Sequence, residues 1–90
     1  MIEVELHQTC SASPEQYDMY VNGENIGYFR IRHGYFTVEY LLNGAQVFGS
    51  GIKGDGEFDS EERDFFLKEG IKAVLEAHTG IENDFSYTVL

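Results

Sequence analysis

Apolar and polar residues alternate from the start of this chain. Ile2, Val4 and Leu6 stand between Glu3, Glu5 and His7, the period-two pattern of a half-buried strand. After a polar loop through Pro14, the residues Tyr17, Met19 and Val21 repeat the pattern. Asn22-Gly23 then supplies residues that tolerate positive φ, so the chain can turn. From Ile26 to Arg32, Gly27, Phe29 and Ile31 take one face and Tyr28, Arg30 and Arg32 the other. His33-Gly34 reads as a second tight turn, after which Phe36, Val38 and Tyr40 oppose Tyr35, Thr37 and Glu39. Asn43-Gly44 is a third, before Ala45 to Phe48. Turn signals at this spacing predict sequential hairpins and antiparallel pairing.

Gly49, Gly51, Gly54 and Gly56 interrupt the alternation, and from Ser60 the period becomes 3.6. Leu67, Gly70, Ile71, Val74 and His78 form one helical stripe, widened by Phe66 and Leu75, with Lys68, Glu69, Lys72 and Glu76 outside it. Asp59 is placed to cap the helix, with Glu62 three residues later as in a capping box. Gly80 stands where a helix-ending glycine belongs. Phe85 to Leu90 reads as a last strand. One apolar stripe and one apolar sheet face predict a single α+β domain over residues 1–90. It has two layers: an antiparallel β-meander of about five to six strands and one long helix in the C-terminal half. The alternation leaves open whether the first and last strands are neighbours.

Composition supports a folded globule: 42% of the residues are hydrophobic, and six Tyr and seven Phe supply large side chains for a small core. A single cysteine, Cys10, rules out an internal disulfide framework and a multi-cysteine zinc site. Acidic residues fill the opening positions where a secretory signal needs a basic patch, and no apolar run approaches the roughly 20 residues of a membrane span. A cytoplasmic setting is expected. The net charge of −10 disfavours direct contact with phosphate backbones and anionic membranes.

The acid is concentrated: Asp55, Glu57, Asp59, Glu61, Glu62 and Asp64 are relieved only by Arg63. This stretch resembles an EF-hand calcium loop in its Asp55, Gly56, Phe58 and Glu62. Gly51 and Lys53, however, occupy the first and third ligand positions and supply no carboxylate. An acidic helix N-terminus, favoured by the helix dipole, accounts for the same residues, and no metal or cofactor is expected. The histidines show no ligand spacing. His7 and Cys10 make an H-x-x-C pair, His33 sits at a turn and His78 at a helix end. The C-terminal Thr88-Val89-Leu90 has the form of a PDZ ligand, but a last strand paired in the sheet would not be free to use it.

More informative is the second face of the central hairpin. Tyr28, Arg30, Arg32, Tyr35, Thr37 and Glu39 share one side if register follows the alternation. Tyr and Arg are enriched at interface hot spots, because they join rigid area to directional hydrogen bonds. Alternatively, Arg30 and Arg32 only pair across strands with Glu3, Glu5 or Glu39. Phe65, on the polar side of the helix, adds to the interaction reading. The sequence therefore points to a non-catalytic, acidic, protein-binding module. Its sites would be Tyr28, Arg30, Arg32, Tyr35 and Phe65, the 55–64 acidic segment, or both. One specific form is an inhibitor or nucleic-acid mimic of the kind phages and mobile elements carry, an analogy from size and charge alone. The alternative is a small enzyme or ligand-binding domain using His7, Cys10 or His33 with nearby carboxylates.

Overall fold

The computed structural model describes residues 1–9 and 13–90. Six strands and one helix follow in the order β1 (Ile2–Gln8), β2 (Gln16–Val21), β3 (Glu24–Arg32), β4 (Tyr35–Tyr40), β5 (Ala45–Gly51), α1 (Arg63–Thr79) and β6 (Phe85–Val89). They form one sheet ordered β5-β4-β3-β2-β1-β6 with the helix on one side, the expected α+β two-layer fold. The first five strands are an antiparallel meander. The sixth departs from it: α1 carries the chain back across the sheet, and β6 pairs in parallel with β1, Val4 opposite Tyr87. This settles the order of the terminal strands. Parallel pairing follows from the crossover, because a helix returning over one face delivers the next strand in the same direction.

The turns form where predicted. Asn22 and Gly23 have φ of 51° and 80°, and His33 and Gly34 have φ of 51° and 74°. Both central residues of each two-residue connection are thus left-handed, matching the twist of the strands they join. The chain reverses after β4 through Leu41 to Gly44, with the Gly44 N–H on the Tyr40 carbonyl at 2.9 Å.

The core lies between α1 and the strand residues predicted to face inward. Val4, Leu6, Met19, Phe29, Ile31, Phe36 and Val38 are buried beneath Leu67, Ile71, Val74 and Leu75, and Ile26, which strict alternation would turn outward, is buried with them at the register shift opposite Met19 and Tyr20. Close contact between the layers depends on Gly70. A Cβ there would stand 2.9 Å from the Phe29 ring and 3.0 Å from a Val38 methyl. The glycine in the helical stripe is therefore a point of contact, not a gap in the pattern. Tyr40 and His78 share a hydrogen bond of 2.7 Å that ties the end of β4 to the end of the helix.

The helix start differs from the expectation. Asp59 is not the cap, and α1 begins at Arg63, after a turn in which the Glu62 and Arg63 N–H groups both donate to the Asp59 carbonyl. Glu62 keeps half of the capping-box role, accepting the Asp59 N–H at 2.8 Å. Its carboxylate is also drawn away to the preceding glycine loop, where it accepts the N–H groups of Lys53 and Gly54 at 2.9 and 3.1 Å. Gly80 ends the helix as expected, with φ of 80° and its N–H on the Glu76 carbonyl.

Candidate functional site

The face of the sheet opposite α1 is crossed by no other element among the described residues. Register sorts its side chains into rows. His7, Asp18, Tyr28, Glu39 and Gln46 stand side by side across five strands, and Gln16, Arg30, Thr37 and Gly49 form the next row. Arg32, Tyr35 and Gly51 form the last, beside the β3–β4 turn. The alternation therefore places Tyr28, Arg30, Arg32, Tyr35, Thr37 and Glu39 on one surface, as expected. Tyr28 and Arg30 are half-buried among their neighbours, while Arg32 and Tyr35 are exposed.

Two features of this face bear on its chemistry. First, neither Arg30 nor Arg32 forms an ion pair among the described residues, whose pairs are His7–Glu5, Lys53–Glu61, Arg63–Glu15, Lys68–Asp64 and Lys72–Glu69. Their cross-strand neighbours are the neutral Gln16, Thr37 and Tyr35, because register sets Glu39 opposite Tyr28 instead. The cross-strand pairing with Glu3, Glu5 or Glu39 that would have explained the arginines is not made. Second, one of the two rings is held by a hydrogen bond. The Tyr28 hydroxyl donates to Gln16 Oε1 at 3.0 Å. The Tyr35 ring lies over Gly49, where a Cβ would approach its hydroxyl to 3.0 Å. Gly49, diagonal to Tyr35 and opposite Thr37, thus leaves room for the ring.

Between Tyr28, Arg30, Thr37, Glu39 and Gln46 is a depression of about 140 Å³. That is below the roughly 300–1,000 Å³ of small-molecule sites and about the size of one large side chain. Charge on the face is divided. Glu3, Glu5, Asp18 and Glu39 lie toward β1 and the far ends of the hairpins, and the two guanidinium groups lie toward the β3–β4 turn.

The remaining predicted residues are distributed as follows. Phe65 is 59% exposed but belongs to the helix layer, packed edge-on against Phe66 with centroids 5.1 Å apart, so it does not join the Tyr/Arg surface. Asp55, Glu57, Asp59, Glu61 and Asp64 are exposed. The segment begins next to the arginine end of the open face, where the Gly34 N–H donates to the Asp55 carbonyl at 2.7 Å. Glu62 is the correction. It is 8% exposed and spends its carboxylate on three backbone N–H groups, so it is a structural clamp and not part of an acidic surface. Burial pushes its pKa up, but those three bonds outweigh burial and hold it below the ordinary value. The glutamate that would complete an EF-hand is thereby already engaged. Among the described residues, no three His, Cys, Asp or Glu side chains gather as metal ligands.

His7 hydrogen-bonds Glu5 at 3.0 Å and packs on the Tyr20 ring, while His33 sits at the β3–β4 turn. β2 lies between β1 and β3, and the two histidines are not brought together. Cys10 lies outside the described residues. No helix among the described residues is long and apolar enough to cross a membrane.

Sequence reasoning missed Glu15, which is 4% exposed. Its carboxylate accepts from the Tyr17 hydroxyl, from Arg63 Nε and Nη2 at 3.0 and 3.1 Å, and from the Phe58 N–H at 3.0 Å. Burial raises its pKa, yet the bonds from Arg63, Tyr17 and Phe58, with the Arg63 charge, bring it below the usual carboxylate value. Burial and the same carboxylate push the Tyr17 hydroxyl well up. Every partner is satisfied and the network joins β2, the glycine loop and the helix start, so it is a structural joint. The one available signal was Arg63, the lone cation in a run of carboxylates.

Comparison of the chain with protein-family models, with curated proteins and with solved structures returned no match.

Proposed function

We propose that this chain is a non-catalytic protein-binding domain that docks through the open face of its sheet, with Tyr28, Arg30, Arg32 and Tyr35 at the centre of the contact. The observation that carries this reading is the pair of arginines left without carboxylate partners on an uncovered face of a strongly acidic protein. A guanidinium group gains most when a planar carboxylate meets it away from water, and a partner's surface supplies both conditions. The flanking rings add large, stiff contact area, and the Tyr28 hydroxyl already bonds Gln16. The divided charge calls for a partner with carboxylates toward the β3–β4 turn and cations toward Glu3, Glu5 and Asp18. A cytoplasmic setting fits a chain with one cysteine.

The test is paired capture from the native host. Wild-type protein is expected to retain a partner that Tyr28→Ala and Arg30→Ala lose, with all three folding alike by circular dichroism. Equal retention by the variants removes this face from consideration.

A further inference from the structure

Two connections in the sheet carry the same dipeptide. Asn22-Gly23 joins β2 to β3 and Asn43-Gly44 leads into β5, and all four residues are exposed. Asparagine before glycine is prone to one intramolecular reaction. The glycine, with no Cβ of its own, lets its backbone nitrogen approach the side-chain carbonyl carbon of the asparagine. Crowding does not separate the two sites, since a Cβ on Gly23 or on Gly44 would meet nothing within 4 Å. What separates them is how the reacting groups are held.

At Asn43 both groups are engaged. The Gly44 N–H donates to the Tyr40 carbonyl at 2.9 Å, and Asn43 Oδ1 accepts the Ala45 N–H at 3.0 Å. The first bond directs the nitrogen at Tyr40, and the second fixes the side-chain amide over the following residue. At Asn22 neither group is held. Among the described residues, the Gly23 N–H donates to no carbonyl outside the strand ladders, and the Asn22 side chain makes no hydrogen bond. Ring closure requires the backbone to rotate away from its native φ of 51° and 80°, so it proceeds from brief openings of an exposed hairpin end. At Asn43-Gly44 such a rotation must first break the two bonds above. At Asn22-Gly23 it breaks no bond made by either reacting group.

We infer that Asn22 is a site of spontaneous deamidation in the folded protein, and that the fold spares Asn43. The Gly23 nitrogen gives up its proton and bonds to the Asn22 side-chain carbonyl carbon, whose amide nitrogen leaves as ammonia. The cyclic imide that results takes up one water, the sole co-reactant. Cleavage of the new bond gives aspartate, and cleavage of the original peptide bond gives isoaspartate. Aspartate tolerates the left-handed conformation this position requires, so that product keeps the turn. Its new carboxylate joins Glu3 and Glu5, with which Asn22 lines one hollow, and makes that end of the open face more acidic. Isoaspartate instead adds a methylene to the backbone of a connection only two residues long. The pairing of Val21 with Glu24 cannot then close as before.

Incubation of the intact protein at mildly alkaline pH, followed over time by peptide mass spectrometry, tests this. The mass change that marks loss of an amide is expected at Asn22 at least about tenfold faster than at Asn43, a barrier difference of about 1.4 kcal/mol. In concentrated urea, where both turns are lost, the two rates are expected to draw together. Each site is then an asparagine and a glycine behind an aliphatic residue, Val21 or Leu42. Aspartate and isoaspartate are both expected among the products, since the imide opens at either carbonyl. Equal rates in the folded protein overturn the inference, as does faster reaction at Asn43. So does an Asn22 that stays intact in the fold while the unfolded chain reacts. Aspartate as the sole product would mean direct hydrolysis of the amide and would overturn the role given to Gly23.

Discussion

Alternate residues of the same strands build the two faces of this sheet, and the faces have opposite physical characters. In β4, Phe36 and Val38 are fully buried under α1, while Tyr35 between the turn and Phe36 is 47% exposed. In β3, Phe29 and Ile31 belong to the core, while Arg30 between them has no ion-pair partner among the described residues. On the covered face, every large side chain is held by neighbours that would leave a cavity if it were trimmed. On the open face, the Tyr28 hydroxyl is held by Gln16, while Tyr35 is exposed and Arg30 and Arg32 have no ion-pair partner among the described residues. The first arrangement stores stability; the second leaves aromatic and cationic groups at the surface.

Substitution should separate these two roles. Phe36 packs against the rings of Phe29, Phe48, Phe58 and Phe66, so Phe36→Ala is expected to cost about 3–5 kcal/mol, read as a fall in the urea midpoint. If it cost no more than Tyr35→Ala, the contrast between the faces would fail. Next in size is Glu15→Gln, which leaves Arg63 facing a neutral amide. The expected loss is roughly 2–4 kcal/mol, below the roughly 3–5 of a fully buried pair because Arg63 is 38% exposed. This loss should depend on pH. The folded protein holds the Glu15 pKa below its unfolded value of 4.5, so its contribution is present above that pH and disappears as pH falls through the folded value. Wild type and variant should therefore converge in stability as pH falls from 4.5 through the lower folded value, by urea unfolding across a pH series. A constant gap down to pH 2 would contradict the assignment. Smaller again is Gly70→Val, about 1–3 kcal/mol by thermal unfolding, since the added methyls meet Phe29 and Val38.

The covered face was legible in the sequence because burial on one side imposes a period, and both the strand alternation and the Leu67–Ile71–Val74 stripe report it directly. Turns were legible for a related reason, since Asn22-Gly23 and His33-Gly34 must reach positive φ and few residues do so cheaply. Strand order was not, because Phe85 to Val89 has the same composition whether it pairs with β1 or with β5. Parallel pairing to β1 depends on where α1 delivers the chain. Carboxylates were the least legible. Glu15 and Glu62 are nearly enclosed while Glu57 and Glu61 face solvent; the capping-box spacing pointed to Glu62, but nothing in the local pattern marked Glu15. What separates them is the set of N–H groups and the guanidinium that a glycine loop and the helix start bring from elsewhere in the chain. The open face lay between these cases. Alternation placed Tyr28, Arg30, Arg32 and Tyr35 together, but only the register showed that Glu39 falls opposite Tyr28 and leaves Arg30 without a partner.

The smallest stability effects should accompany the largest binding effects, and a titration calorimetry series with the captured partner tests this most directly. Arg30→Ala on the open face is compared with Phe65→Ala on the helix layer. The account predicts that Arg30→Ala weakens binding at least about tenfold with a urea midpoint close to wild type, while Phe65→Ala binds as wild type does. Unchanged affinity for Arg30→Ala, or a loss confined to Phe65→Ala, would contradict it and move the contact to the other side of the molecule.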